Sequence, residues 1–171
     1  MTIKSQQAWG EPRTKTVTWY DPHAAAAAGR TMAGLDYLRS IMAGELPGAP
    51  IAALFGTRPV SIEPGSVTFA CTPDESAYNP IGVVHGGLVC TLLDSVVGCA
   101  VHTTLKAGIG YTSTSLTVNY LRAVTVESGE LRAEGHVTKP GRRVAFADAT
   151  VLDGRGRLVA TATGSCLVFP H

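Results

Sequence analysis

The chain has 171 residues and a mass of 17.8 kDa, and its 14 Lys and Arg nearly cancel its 13 Asp and Glu to leave a formal net charge of +1. With no strongly basic cluster, nucleic acid is excluded as the main partner. No uncharged apolar run reaches the roughly 18 residues that a membrane-spanning helix needs. The size suits one domain with an extension and a proper core. The abundant alanine and glycine suit close packing of a helix against a curved sheet. Cys71, Cys90, Cys99 and Cys166 form no Cys-x-x-Cys pair and no metal-ligand spacing with the histidines. They read as reduced core residues, and neither a metal nor another cofactor is expected. The N-terminal Met-Thr-Ile-Lys-Ser-Gln-Gln has no long apolar core, so no signal peptide and a cytoplasmic location are expected.

In chain order, residues 1–20 read as an irregular arm. Asp21-Pro22 supplies a cap and a first-turn proline for a short helix through Ala24 to Ala28, with Gly29 as its stop. Thr31 to Ala43 forms a second helix, with Leu35, Leu38 and Met42 on one face and Gly44 as its stop. Pro47-Gly48-Ala49-Pro50 reads as a linker that separates an N-terminal extension, 1–50, from a main domain, 51–171. From Ile51 onward the pattern predicts strands. Val60 and Ile62, then Val67, Phe69 and Cys71, alternate with polar or small residues around a Pro64-Gly65 turn. After a central helix come Tyr111 to Leu121 with Leu116, Val118 and Tyr120 on one apolar face, a strand with Leu131, Ala133, Gly135 and Val137 on one face, Val144 to Leu152, and Leu158 to Phe169. The last two are joined by the hairpin turn Asp153-Gly154-Arg155-Gly156. The pattern predicts an α+β fold in which an antiparallel sheet wraps a long helix.

That helix and the loop before it, residues 79–100, carry the chemistry. Leu88, Leu92, Val96 and Cys99 line one side, and Val89, Leu93, Val97 and Ala100 continue the apolar surface. Asp94 is the only formally charged residue between Ser76 and Leu105. It lies on the shoulder of a polar stripe of Thr91, Ser95, Gly98 and His102, where plain solvation is one explanation for it. Gly86 and Gly87 stand where the helix begins, so their N–H groups are expected to be unpaired and to favour a developing oxyanion. Gly87 and Asp94 are nearly two turns apart and share a side of the helix. Carboxylate and oxyanion donor together are a hydrolase constellation.

Asn79-Pro80-Ile81-Gly82, His85-Gly86-Gly87 and Leu92-Leu93-Asp94 together resemble the signature of the hotdog-fold acyl-CoA thioesterases, specifically the PaaI-like (phenylacetic acid degradation) group. The resemblance runs from about Ala52 to Phe169. It implies a hotdog fold, an acyl-CoA substrate, and assembly as a homodimer or homotetramer with the active site between subunits. It also implies that Asp94 is the general base or the attacking carboxylate, that the Gly86 N–H binds the thioester oxygen, and that Asn79 helps hold the water or carboxylate. His85 orders the loop and substrate in this reading, or is a loop histidine satisfied by backbone. Ser113 matches a water-orienting serine, although Thr112, Thr114 and Ser115 are its neighbours in a hydroxyl run that β-propensity also explains. The turn Lys139-Pro140-Gly141-Arg142-Arg143 matches one near the coenzyme A nucleotide, against the plainer reading of a solvated hairpin. The other class considered is a non-catalytic acyl-CoA-binding or regulatory hotdog domain, which would be expected to lack the acid or to carry a DNA-binding helical pair.

Overall fold

The computed structural model describes residues 10–171. Three short helices, α1 (Pro22–Thr31), α2 (Gly34–Met42) and α3 (Pro50–Phe55), precede β1 (Thr57–Glu63) and β2 (Ser66–Cys71). The long helix α4 (Gly86–His102) follows, then β3 (Ile109–Tyr120), β4 (Leu131–Lys139), β5 (Val144–Leu152) and β6 (Leu158–Pro170). The strands form one six-stranded antiparallel sheet in the order β1-β2-β4-β5-β6-β3. The α4 crossover therefore carries the chain from β2, near one edge, to β3, which is the other edge. This is the α+β layout that the pattern predicts and the hotdog arrangement that the resemblance implies, with a helical N-terminal part ahead of it. Residues 10–20 carry no helix or strand, as expected of the arm; residues 1–9 lie outside the described part.

The helix and sheet meet through small residues. Ala133 and Gly135 on β4, Ala145, Ala147 and Ala149 on β5, and Ala160, Ala162 and Gly164 on β6 form the floor, and Leu88, Val89, Leu92, Leu93, Val96, Val97, Ala100 and Val101 of α4 are buried on it. A Cβ on Gly135 would stand 2.4 Å from the backbone oxygen of Val96, and one on Gly164 would stand 2.9 Å from Val97 Cγ1. The C-terminal end of α4 is braced by α2. The Gly34 N–H donates to the Leu105 carbonyl at 3.0 Å, and the Tyr37 and Tyr111 rings flank His102 at 5.6 and 5.0 Å. Burial pushes the His102 imidazole down to about 4, so it is a neutral packing group at neutral pH.

Two boundary expectations are corrected. Residues 51–55 are helical rather than the start of the strand region. Pro50 occupies a first-turn position and Gly56 ends the helix in the left-handed conformation (φ 63°), the usual proline-first, glycine-last pairing. Gly29 does not stop α1, which runs on to Thr31, and α2 starts at Gly34 instead of Thr31. The Asp21 cap is present, its side chain accepting from the His23 N–H at 2.9 Å, and Gly44 follows α2 with a φ of 76°. The Asp153 hairpin is held by its own carboxylate, which accepts from the Arg155 and Arg157 N–H groups at 3.0 Å and from Arg157 Nε at 2.7 Å.

The Gly135 contact sets a sign. In an ordinary strand, alanine gains roughly 0.5–1 kcal/mol over glycine. At Gly135 the methyl would overlap helix backbone, which cannot rotate away, so Gly135→Ala is expected to lose about 1–3 kcal/mol. Gly48 has open space around it, and Gly48→Ala is expected to stay within about 0.5 kcal/mol of the parent. Denaturant unfolding of both variants checks the contrast; equal stabilities would show that the helix does not ride this close to the sheet.

Candidate active site

The loop before α4 is built to present a helix N-terminus. Asn79 folds it: its Oδ1 accepts from the N–H groups of Ile81 (3.0 Å) and Val83 (3.4 Å), and its own N–H donates to the Val83 carbonyl at 2.9 Å. The backbone then docks to the body of the fold through Val84 N–H to the Val124 carbonyl (2.9 Å) and His85 N–H to the Ala77 carbonyl (2.8 Å). His85 is the N-cap of α4, and its Nδ1 accepts from the Gly87 N–H at 2.8 Å. That settles a tautomer: Nδ1 is the acceptor, so the neutral ring carries its proton on Nε2. It also corrects one expectation, because the Gly87 N–H is occupied by His85. The Gly86 N–H makes no hydrogen bond among the described residues and remains the available donor at the helix terminus.

Asp94 lies two turns further on and is exposed, while its neighbours Leu92, Leu93, Val96 and Val97 are buried. It is not merely solvated. Ser113 Oγ donates to Asp94 Oδ1 at 2.8 Å, joining the middle of α4 to the edge strand β3. A β-bulge makes this pairing possible. Ser113 pairs with Cys166 and Ser115 with Ser165, leaving Thr114 as the extra residue. Strict alternation would turn Ser113 away from the face that carries Leu116, Val118 and Tyr120. The bulge returns it to that face, because Cys166, Gly164, Ala162 and Ala160 are their successive partners. The rest of the hydroxyl run turns elsewhere: Thr114 Oγ1 donates to the Ser165 carbonyl (3.1 Å), and Ser115 Oγ lies 2.7 Å from Ser165 Oγ. Near Asp94, desolvation pushes the Cys99 thiol up to about 12, and the hydroxyl of the partly buried Tyr111 is also shifted upward. Both stay protonated, which leaves Asp94 as the one carboxyl group of this cluster.

The basic turn divides. Gly141 and Arg142 line a groove of about 710 Å³ at the C-terminal end of α4, together with Thr104, Lys106 and Phe169. Lys139 instead lines a separate depression on the outer sheet face with Phe146 and Asp148. Arg143 is exposed beside the turn, and its carbonyl accepts from the Val168 N–H at 2.8 Å. Gly141 is demanded by the turn itself, since a Cβ there would stand 1.9 Å from the Val144 carbonyl oxygen. Lys106 was not singled out from the sequence. Its only signal there is its position just past the end of the long helix, which becomes meaningful once Arg142 is known to share the groove. Tyr120 was read only as an apolar strand residue, yet its hydroxyl donates to the Gly86 carbonyl at 3.1 Å.

Residues 81–160 match the thioesterase superfamily. Human acyl-coenzyme A thioesterase 13 is 29% identical over 102 residues, covering 59% of this chain and 71% of that protein. An esterase-like protein of Saccharolobus solfataricus is 32% identical over 88 residues, and the match spans 52% of this chain and 57% of the archaeal protein. Among solved structures, a phenylacetic acid degradation-related protein of Ralstonia eutropha superposes with a TM-score of 0.70 at 28% identity, covering 77% of this chain and 98% of that one. A Streptococcus mutans protein described as bound to acetyl CoA superposes with a TM-score of 0.61 at 28% identity, covering 67% and 89% of the two chains. The chain has the hotdog fold, and its segment 81–160 is similar to the thioesterase superfamily. No helix among the described residues is long and apolar enough to cross a membrane.

The His85 cap has a measurable consequence. His85→Ala removes the acceptor for the Gly87 N–H and is expected to cost about 1 kcal/mol of stability, whereas His85→Asn, a strong cap residue, should recover most of it. Denaturant unfolding of the two variants reads this directly. Equal losses would mean that His85 does not serve as the cap.

Proposed function

We propose that this protein hydrolyses acyl-CoA thioesters to a free carboxylic acid and CoA, with Asp94 as the reacting carboxylate and the Gly86 N–H as the oxyanion donor. The observation that carries the reading is the pairing of an exposed carboxylate, oriented by Ser113 at 2.8 Å, with an unoccupied N–H at the start of the same helix. The Gly86 N–H would stabilise the charge that develops on the thioester oxygen, with the positive end of the α4 dipole behind it. Asp94 would either take a proton from an attacking water or attack the carbonyl carbon itself to form an anhydride that water then opens. With water as nucleophile, Ser113 and Asp94 together would orient it. Asn79 spends its oxygen on its own loop, and its Nδ2 makes no hydrogen bond among the described residues, so it is free to face the substrate.

Gly86 and Asp94 are eight residues apart on one helix, a separation of about 12 Å along the axis. Both groups must meet one carbonyl, with the oxyanion donor at roughly 3 Å. One chain therefore does not supply both to one substrate, which supports a site shared by two copies. The edge strand β3 supports the same conclusion. It is 12 residues long, pairs only with β6 among the described residues, contains no proline or lysine, and leaves most of its residues exposed. Such an edge is a template for pairing with a second chain. Antiparallel pairing of two β3 strands would bring the Gly86 end of one chain toward the Asp94 region of the other. The homodimer is thus the proposed catalytic unit, with a dimer of dimers as its further assembly.

The match to acyl-coenzyme A thioesterase 13 and the acetyl CoA bound by the Streptococcus mutans protein support CoA as the thiol half of the substrate. Lys106 and Arg142 in the groove at the far end of α4 offer cations to its phosphates, with Arg143 beside them. A CoA ester substrate and four unpaired cysteines fit a cytoplasmic setting.

The test is steady-state hydrolysis of aryl-acetyl, benzoyl and medium-chain CoA esters with detection of the free thiol, for the parent and for Asp94→Asn. The substitution keeps the size of the side chain and removes its basicity and nucleophilicity. It is expected to lower kcat about a hundredfold or more while leaving KM nearly unchanged. An Asp94→Asn protein that folds normally and keeps near-parental kcat would overturn the assignment.

A further inference from the structure

The residue that carries the proposed oxyanion donor is held from outside its own helix. Tyr120 is the last residue of β3, and its pairing with Ala160 turns its ring to the helix-facing side of the sheet. Its hydroxyl donates to the Gly86 carbonyl at 3.1 Å, and its ring atoms Cε1 and Cζ stand 3.2 Å from where a Cβ on Gly86 would lie. Gly86 is thus grasped at its carbonyl and on the side from which a side chain would project. The next N–H, that of Gly87, is taken by His85 at 2.8 Å. The carbonyl and the side-chain position of this first helical residue are both occupied, and its N–H is left open. Burial and the neighbouring Cys90 thiol push the Tyr120 hydroxyl up from the ordinary tyrosine range, so it remains a protonated donor at neutral pH.

We propose that Tyr120 is a positioning residue that fixes the Gly86 peptide so that its free N–H is aimed at the thioester oxygen before charge develops there. Oxyanion stabilisation is effective because the donor is already in place and needs no reorganisation at the moment of reaction. A donor displaced by a fraction of an ångström loses rate without losing substrate binding. The same contact favours glycine at position 86, since a Cβ there would stand 3.2 Å from the Tyr120 ring, which would have to shift slightly to admit it. It also gives β3 two tasks. Ser113 orients the carboxylate of Asp94, and seven residues later Tyr120 secures the start of α4, so one strand sets the geometry of both groups. The proposal rests on the hydrolase reading for its chemistry, while the contact itself belongs to the folded chain.

Tyr120 remains 54% exposed in the single chain, so its hydroxyl contributes little to folding, and this separates positioning from stability. Tyr120→Phe keeps the ring and removes only the donor; Tyr120→Leu removes both. For the Phe variant, kcat on the best CoA ester is expected to fall about tenfold, with KM within twofold of the parent and Tm unchanged. The Leu variant should fall further. In ¹⁵N-labelled protein, the Gly86 and Gly87 amide resonances should shift and exchange faster with solvent in both variants. A Phe variant with parental kcat, or with parental Gly86 and Gly87 amides, would overturn the proposal. If the parent hydrolyses none of the CoA esters, the hydrolase reading fails and the catalytic part of this proposal falls with it. The amide comparison then decides the structural contact alone.

Discussion

The structure depends on how closely α4 approaches the sheet. Gly135 and Gly164, with the alanines of β4, β5 and β6, let the helix backbone settle where any larger side chain would hold it off. Because the approach is that close, α4 has little freedom to slide or roll, and protein interiors transmit such constraints rather than absorb them. The helix is also fixed at both ends. At its start, the Val84 and His85 N–H groups bind the body of the fold; at its finish, Gly34 packs against the His102 carbonyl region and the Tyr37 and Tyr111 rings hold His102. A rigid rod in a small-residue bed is what allows a single exposed carboxylate to have a defined direction.

That rigidity also limits what one chain does alone. The free N–H at Gly86 and the carboxylate at Asp94 are fixed about 12 Å apart by helical rise, and no plausible bend of a packed helix brings them to one carbonyl. The proposed division of labour between two chains follows from this spacing. In that proposal the exposed length of β3 is both the seam for the second copy and the support for Ser113 and Tyr120. The groove that holds Lys106 and Arg142 lies at the opposite end of α4 from Gly86, which would leave room for the extended CoA chain of the proposed substrate.

Much of the fold was legible because its signals are local. The alternating strands, the Asp153 hairpin, the Asp21 cap and the apolar faces of α4 each follow from nearest neighbours or from a single periodicity. The spacing of the Gly86-Gly87 pair and Asp94 was legible because helix geometry fixes what that interval means, whereas Asn79 and His85, in the loop, entered only through the family resemblance. The misread features are those decided by groups distant in sequence or by competing local rules. Residues 51–55 carry a helix start and stop at Pro50 and Gly56, but the β-rich stretch beyond them dominated the pattern. The Gly87 N–H was expected to be free because a histidine two residues earlier is not obviously a cap; only the folded loop turns its Nδ1 inward. The choice of Ser113 among four hydroxyls depends on the bulge at Thr114, which exists because β3 must pair with β6 across a 50-residue separation. Tyr120 looked like one more apolar position because alternation reports the face and says nothing about the hydroxyl at its tip. The Lys106 and Arg142 groove joins residues more than 30 apart, so no motif could reveal it.

The central claim, that each site takes its carboxylate from one chain and its oxyanion donor from another, has a direct test in mixed dimers. Gly86→Pro removes the N–H at a first-turn position where proline suits the helix, and Asp94→Asn removes the carboxylate. Each variant alone should be nearly inactive. When the two are unfolded together and refolded at equal concentrations, half of the dimers should be mixed. In each mixed dimer, one site carries both defects and the other carries neither, so about one quarter of the parental activity should return. Recovery near that level supports a shared site. A mixture that forms mixed dimers yet stays as inactive as the separate variants would contradict it, because both groups would then have to act within a single chain.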